Sequence, residues 1–273
     1  MIEIAESINY AKEMTHLLKG KVIEEVEVLN APHRFCWLSE NEEVYEQKLV
    51  GRGVDHVTSS AHYLRIMFDN GLEIACAEDV SYSYQQRESI SKKNQLVLIF
   101  EDGMALEFKI KLYGFILLGY EKELKEKFPY YKVARDAIHP LDEKFTYQYF
   151  LDVTKMGEEK GSVKAALATE QHIPGLGNGT LQDILFQAKI APKRKVSTLS
   201  ESDKKTLYES VINTIDEMIA FGGRDLITSL YGEPGKYEVL MKNDRTNCPG
   251  CQGALIKEAY LGGKVIYCPN CQK

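Results

Sequence analysis

The sequence predicts an α+β protein in three parts: a β-rich first domain led by a helix, a helical second domain, and a small C-terminal ribbon. Three observations predict it. Residues 22–110 hold short alternating or β-branched stretches, two pairs of them joined by Gly-containing turns, and residues 146–221 change to a helical period. Four cysteines, Cys248, Cys251, Cys268 and Cys271, then close the chain as two C-x2-C pairs. At 273 residues, 44% hydrophobic and 27% charged, the chain has the composition of an ordinary globular protein and room for two domains plus the ribbon.

The first element is a helix over residues 3–18, because Ile4, Ile8, Ala11, Met14, Leu17 and Leu18 fall on one face and Gly20 stops it. Strands follow at 22–29, 63–68, 72–76, 96–100 and 104–110. Asp69-Asn70-Gly71 and Glu101-Asp102-Gly103 sit between two pairs of them as hairpin turns. The Pro-containing stretch 128–140 links to the second domain. There helices are predicted at 146–154, 163–170, 181–188 and 201–221, the last opened by Ser200 with Asp203 in its first turn. Between the second and third lies Ile173-Pro-Gly-Leu-Gly-Asn178, whose glycines let the backbone turn sharply and come close to a phosphate. The expected boundaries are 1–128, a link at 129–145, 146–240 and a ribbon at 241–273.

The cysteine pattern is C-x2-C-x16-C-x2-C, with Pro followed by Gly or Asn in each knuckle. Such knuckles aim paired thiolates at one ion, and four thiolates satisfy tetrahedral zinc with no open position, so one structural zinc is expected. Two disulfides are the alternative, which the absence of a secretory signal at the N-terminus argues against. Cys36 and Cys76, in apolar surroundings, read as buried thiols. No apolar run reaches membrane-spanning length, and the reading is a cytoplasmic, prokaryote-like protein with no membrane partner. The formal charge is −6; residues 141–273 carry 17 Lys and Arg against 17 Asp and Glu, so the whole excess lies in residues 1–140. Binding to a polyanion must then act through local clusters such as Lys193-Arg194-Lys195.

The order of these pieces resembles the formamidopyrimidine-DNA glycosylase and endonuclease VIII family of base-excision repair enzymes. The resemblance runs the length of the chain and is strongest from about residue 163 to 273. It rests on Pro-Gly-Leu-Gly-Asn-Gly at 174–179, Leu-Gln-Asp-Ile-Leu-Phe-Gln-Ala at 181–188, Gly222-Gly223-Arg224-Asp225, Gly232-Glu233-Pro234-Gly235 and the four-cysteine ribbon closing in Cys-Gln-Lys. It implies an N-terminal β-sandwich with flanking helices, a helix–two-turn–helix DNA-binding domain, and a zinc ribbon whose hairpin reaches the duplex. The implied partner is double-stranded DNA, damaged or abasic, met by a monomer.

The resemblance also implies site residues, and several depart from the family pattern. The family's mature chain starts Pro-Glu, and the proline amine attacks the sugar C1′; here position 2 is Ile, so the nitrogen in reach is that of Met1. Glu3 matches the family's glutamate, which assists protonation at the sugar and the leaving group, although a first-turn carboxylate at Glu3 or Glu6 also fits helix capping. His62 stands where the family often has a phosphate-binding lysine. Lys111-Leu112-Tyr113-Gly114 corresponds to the Arg-Arg-Phe-Gly loop that fills the gap left by an extruded base, with Tyr113 as aromatic wedge and Lys111 as the remaining cation. The ribbon arginine falls on Gly263, with Lys264 beside it. Asn178, Lys164 and the turn glycines Gly175 and Gly177 match the parts that hold DNA.

Two functions follow. One is a glycosylase working without the proline, with water activated by Glu3 or with the Met1 amine as nucleophile, and with weak or absent strand cleavage. The other is a catalytically inactive module that binds damaged or abasic DNA.

Overall fold

The computed structural model describes residues 1–156 and 161–273. They divide into one unit of Met1–Asp136 with Leu226–Gly235 and another of Ala137–Asp225 with Lys236–Lys273.

In the first unit, α1 (Ile4–Leu18) buries Ile4, Ala5, Tyr10, Ala11, Met14 and Leu18; of the stripe that its period predicts, Ile8 and Leu17 are only partly buried. Seven strands form one sheet: β1 (Ile23–Val28), β2 (Cys36–Leu38), β3 (Val54–Ser60), β4 (Tyr63–Phe68), β5 (Leu72–Gln86), β6 (Leu96–Phe100) and β7 (Met104–Tyr120). Their order is β1-β6-β7-β5-β4-β3, with β2 parallel to β7, and α2 (Glu42–Leu49) lies between β2 and β3 in the chain. The long strands β5 and β7 pair from Leu72↔Tyr120 to Gln86↔Met104, with a bulge between Glu78 and Val80. β4 pairs with the part of β5 before the bulge, and β6 with the part of β7 before Ile110. Ile66, Ile74 and Ile116 from one end share a core with Leu98, Phe100 and Phe108 from the other, and with Met14 and Leu18. The sheet therefore folds over on itself as a sandwich.

On its far face, α3 (Glu121–Lys127) and α4 (Pro129–Asp136) lay Leu124, Tyr131 and Ala134 on Tyr63, Ala75 and Leu117. The buried Arg65 guanidinium there pairs with Glu73, which also accepts from the Tyr131 hydroxyl. Thus α4 occupies the first part of the stretch that its proline marked as a link.

Two local readings are corrected. The strands expected at 72–76 and 104–110 run on for 15 and 17 residues, because each finds a full-length partner in the other. Consequently Lys111 to Gly114, expected as a loop, fall within the span of β7: Gly114 pairs with Glu78 and Cys36, and Lys111 to Tyr113 are the extra residues of the bulge, opposite Asp79.

In the second unit, α5 (Tyr147–Val153) starts at Thr146, whose hydroxyl accepts from Tyr149 N at 3.2 Å. Phe145 and Phe150 pack on Tyr208 of α7 (Glu201–Ala220), with ring centroids 6.1 and 5.6 Å apart. Ser200 and Asp203 cap α7 reciprocally, at 3.1 and 2.9 Å. The helix expected at 163–170 is a π-helical turn over Ala165–Thr169, closed by Glu170 N on Ala165 O at 3.1 Å. Gly175 takes the left-handed φ of +81° that the following turn requires, and α6 (Asn178–Gln187) begins soon after it. Asp183 on α6 is fully buried and accepts Leu240 N and Met241 N, each at 2.9 Å. Burial pushes its carboxyl up to about 6, and those two hydrogen bonds hold it from rising further. The chain ends in the hairpin β8 (Ile256–Tyr260) and β9 (Gly263–Tyr267), turned at Leu261 and Gly262, both with positive φ.

Candidate functional site

At the head of α1, Glu3 is the N-cap, and its backbone N–H donates to Glu6 Oε2 at 3.1 Å, the capping arrangement open to either carboxylate. Both side chains are nevertheless buried, Glu3 at 4% and Glu6 at 2% exposure, which a cap alone does not require. Ile2 fixes the residue before them: its side chain enters the sandwich core and its N–H donates to Glu78 O at 3.1 Å. The Met1 nitrogen then lies 2.9 Å from Asp79 Oδ1. Asp79 is aimed there by the β5 bulge, where Glu78 takes a left-handed φ of +78° that a non-glycine residue rarely adopts.

Glu78 gathers two more of the expected residues. His62, in the β3–β4 turn, places Nε2 3.4 Å from Glu78 Oε1, and the Tyr113 hydroxyl is close enough to act on the same carboxylate. Burial alone would push Glu78 up, but these partners and the nearby Met1 nitrogen hold it below the usual carboxylate range. Burial and Glu78 together push the Tyr113 hydroxyl up to about 12. Met1, His62 and Tyr113 are thus brought together around Glu78 and Asp79, neither of which any motif marked. A bulge with a non-glycine left-handed residue leaves no periodic signal. Lys111 is exposed on β7 and has no carboxylate partner among the described residues.

In the second unit, Lys164 leads into the π-helical turn and is only 1% exposed. Its ammonium donates to the carbonyls of Tyr260 and Leu261, so it ties the β8–β9 turn rather than facing solvent; burial lowers its affinity for the proton. Asn178, the first residue of α6, is exposed, and Gly177 is the N-cap. Gly263 belongs to the same group: a Cβ there would stand 2.6 Å from Asn178 Nδ2 and 3.2 Å from Lys164 Nζ. Lys264 is exposed on β9. In the basic triplet, Lys193 pairs with Glu258 and Arg194 with Asp203, which leaves little of it for a phosphate.

The four cysteine sulfurs lie within 4.8 Å of one another, with Cys248 to Cys271 at 3.8 Å and Cys251 to Cys268 at 3.5 Å. Ligands about 2.3 Å from a tetrahedral ion stand about 3.8 Å apart, whereas a disulfide needs about 2.05 Å. The cluster can therefore hold one metal ion, and no pair in it is bridged. No helix among the described residues is long and apolar enough to cross a membrane.

A model of the formamidopyrimidine-DNA glycosylase H2TH domain matches residues 137–229. The formamidopyrimidine-DNA glycosylase of Bacillus subtilis (strain 168) is 28% identical, and that of Bacillus anthracis 25%; each alignment covers 100% of this chain and 99% of the relative. Among solved structures, Lactococcus lactis Fpg in complex with DNA containing an abasic site has a TM-score of 0.86 at 21% identity, over 99% of both chains. MutM (Fpg) from Thermus thermophilus has 0.81 at 20%, over 99% of this chain and 98% of that one. At such identity the structural likeness is one of fold, but the sequence alignments also run end to end, so the helical domain and the ribbon are not isolated borrowings. Over its whole length the chain is thus similar to the formamidopyrimidine-DNA glycosylases, with a match to their H2TH domain at residues 137–229 and with Ile2 where the family pattern has proline.

Proposed function

We propose that this protein binds damaged duplex DNA as a monomer and excises a damaged base, with Glu3 as the acid and base and with weak or absent strand cleavage. The observation that carries the reading is the burial of Glu3 at the head of α1, two residues along the chain from a Met1 nitrogen held by Asp79. A buried carboxyl is costly to maintain and is of use to a reaction that moves protons at a sugar. Residues 1–128 would supply this chemistry, 146–240 the grip on DNA and 241–273 a ribbon held by one structural zinc, with 129–145 as the connection. Either the Met1 amine displaces the base at C1′, the base leaving with one proton and the C1′–O4′ bond then opening to give the imine with the second proton on O4′, or Glu3 activates a water for hydrolysis. His62, Lys111, Tyr113, Gly177 and Lys264 are assigned to DNA contact. The reading places the protein in a prokaryotic cytoplasm, acting on the chromosome.

The second reading, a module that grips DNA without chemistry, draws on Gly263, since the lesion-reaching arginine that the family pattern puts there is missing. Incubation with an abasic duplex followed by borohydride separates the two. A covalent adduct is expected, because hydride reduces the imine to a stable secondary amine. No adduct together with no base release from a broad panel of lesions would leave the binding module.

The grip has its own expected result. Asn178→Ala should weaken duplex binding by about 1–2 kcal/mol irrespective of sequence, as loss of a phosphate contact does. Gly263→Ala should produce much of the same loss by displacing the Asn178 amide, and should add almost nothing in an Asn178→Ala background. Full additivity of the two in fluorescence anisotropy titrations would show that Gly263 acts elsewhere.

A further inference from the structure

The first unit exposes two apolar rings, Phe35 and Trp37, that none of the assigned roles uses. β2 runs parallel to β7 with Trp37 opposite Phe115, and these two rings stack at 5.0 Å between centroids and 22° between planes. Phe35 lies 6.2 Å from Trp37 on one side, and Tyr113 6.5 Å on another. Phe35 is 46% exposed, Trp37 43% and Leu112 70%. Single exposed apolar side chains are ordinary, but large ones concentrated in one short strand and the neighbouring stretch of β7 are not.

The charges around these rings select the occupant. The Arg34 guanidinium lies 5.3 Å from the Phe35 ring centroid, and Lys111 precedes Leu112. Neither cation has a carboxylate partner among the described residues, and the acids close to Tyr113 are engaged: Glu78 with His62, Asp79 with the Met1 nitrogen. Half-exposed aromatic faces flanked by unpaired cations match a flat aromatic ligand that carries negative charge.

We infer that Phe35 and Trp37 form a stacking platform for an unstacked nucleobase, whose flanking phosphates meet Arg34 and Lys111. This rests on the DNA-binding reading, and it adds a subsite for single-stranded or locally opened DNA. Stacking is indifferent to base identity, because every base offers a π face, so little sequence preference is expected.

Trp37 is the only tryptophan, so its emission reports on the platform alone. The probes are a ten-nucleotide thymidine strand and a strand of equal length with the same phosphates but no bases. The thymidine strand should quench Trp37 and bind about tenfold more tightly than the base-free one, the order of difference expected for one stacked base. Trp37→Phe should keep that preference, and Trp37→Ala should abolish it, as measured by anisotropy of labelled strands. Equal binding of the two strands, or a preference that survives in Trp37→Ala, would overturn the platform. Affinity for an abasic duplex, measured in parallel, keeps the two readings apart. A thymidine strand bound without the duplex would sink the repair reading and leave the platform standing. Duplex binding with no preference between the strands would do the reverse.

Discussion

Cys268→Ser should release the metal, melt the β8–β9 hairpin and lower duplex affinity at least tenfold. Cys268 and Cys248 are completely buried, whereas the ribbon's other buried apolar groups are few: Met241, and Val265 and Ile266 on β9. So small a core cannot offset the entropy of ordering about 30 residues, and the bound ion has to supply the difference. Structural zinc binds with about 10–16 kcal/mol near neutral pH, and losing one thiolate removes both affinity and tetrahedral closure. The damage should spread along identifiable bonds. Cys268 N donates to Gln272 Oε1 at 2.8 Å, and Gln272 Nε2 donates to Ile190 O at 3.0 Å. Ile266 N donates to Gln182 Oε1 on α6 at 2.6 Å, and the hairpin turn accepts the Lys164 ammonium, which would be left buried without acceptors. Metal content by atomic absorption, with anisotropy of a labelled duplex, reads both effects. A metal-free protein of unchanged affinity would show that neither the ion nor the hairpin serves DNA binding.

How much of this was legible in the sequence depended on whether a feature is local. Ser200 and Asp203 cap α7 where their spacing predicts, because both members of a capping box lie within one turn. The metal cluster was legible for the same reason: two knuckles carry all four ligands, and only the closing hairpin is non-local. β4 and β6 begin and end at the residues expected for them, although both are buried on nearly every residue rather than on alternate ones. Features that depend on a distant partner were not legible. The extensions of β5 and β7 come from their mutual pairing, and β2 is a three-residue strand that exists only against β7. The head of α1 divides likewise. Glu3 came from a family motif, but Asp79 reaches Met1 through a bulge far along the chain, and Lys164 looks like a phosphate ligand until the hairpin carbonyls take its ammonium.

Glu3→Gln should abolish base excision while leaving affinity for an abasic duplex within a few fold. The amide has the shape of the carboxyl and can still accept a hydrogen bond at the head of α1, but it cannot give and retake a proton during reaction. The cap should survive as well, because Glu6 Oε2 accepts Glu3 N whatever the side chain at position 3 carries. A purely structural carboxylate would behave differently. Its loss would lower the melting temperature and weaken binding in proportion to the unfolded fraction, with turnover of the folded remainder intact. Single-turnover excision on a duplex carrying an oxidised base, paired with a thermal melt, separates the two outcomes. Strand cleavage at an abasic site should respond less, because it needs an amine more than an acid. There the Met1 nitrogen stands one residue farther along the chain than the family's proline, and a displacement of about 1 Å can already cost about a hundredfold. Excision undiminished in Glu3→Gln would therefore move the acid to another group. Excision lost together with the melt would return Glu3 to the helix as a cap.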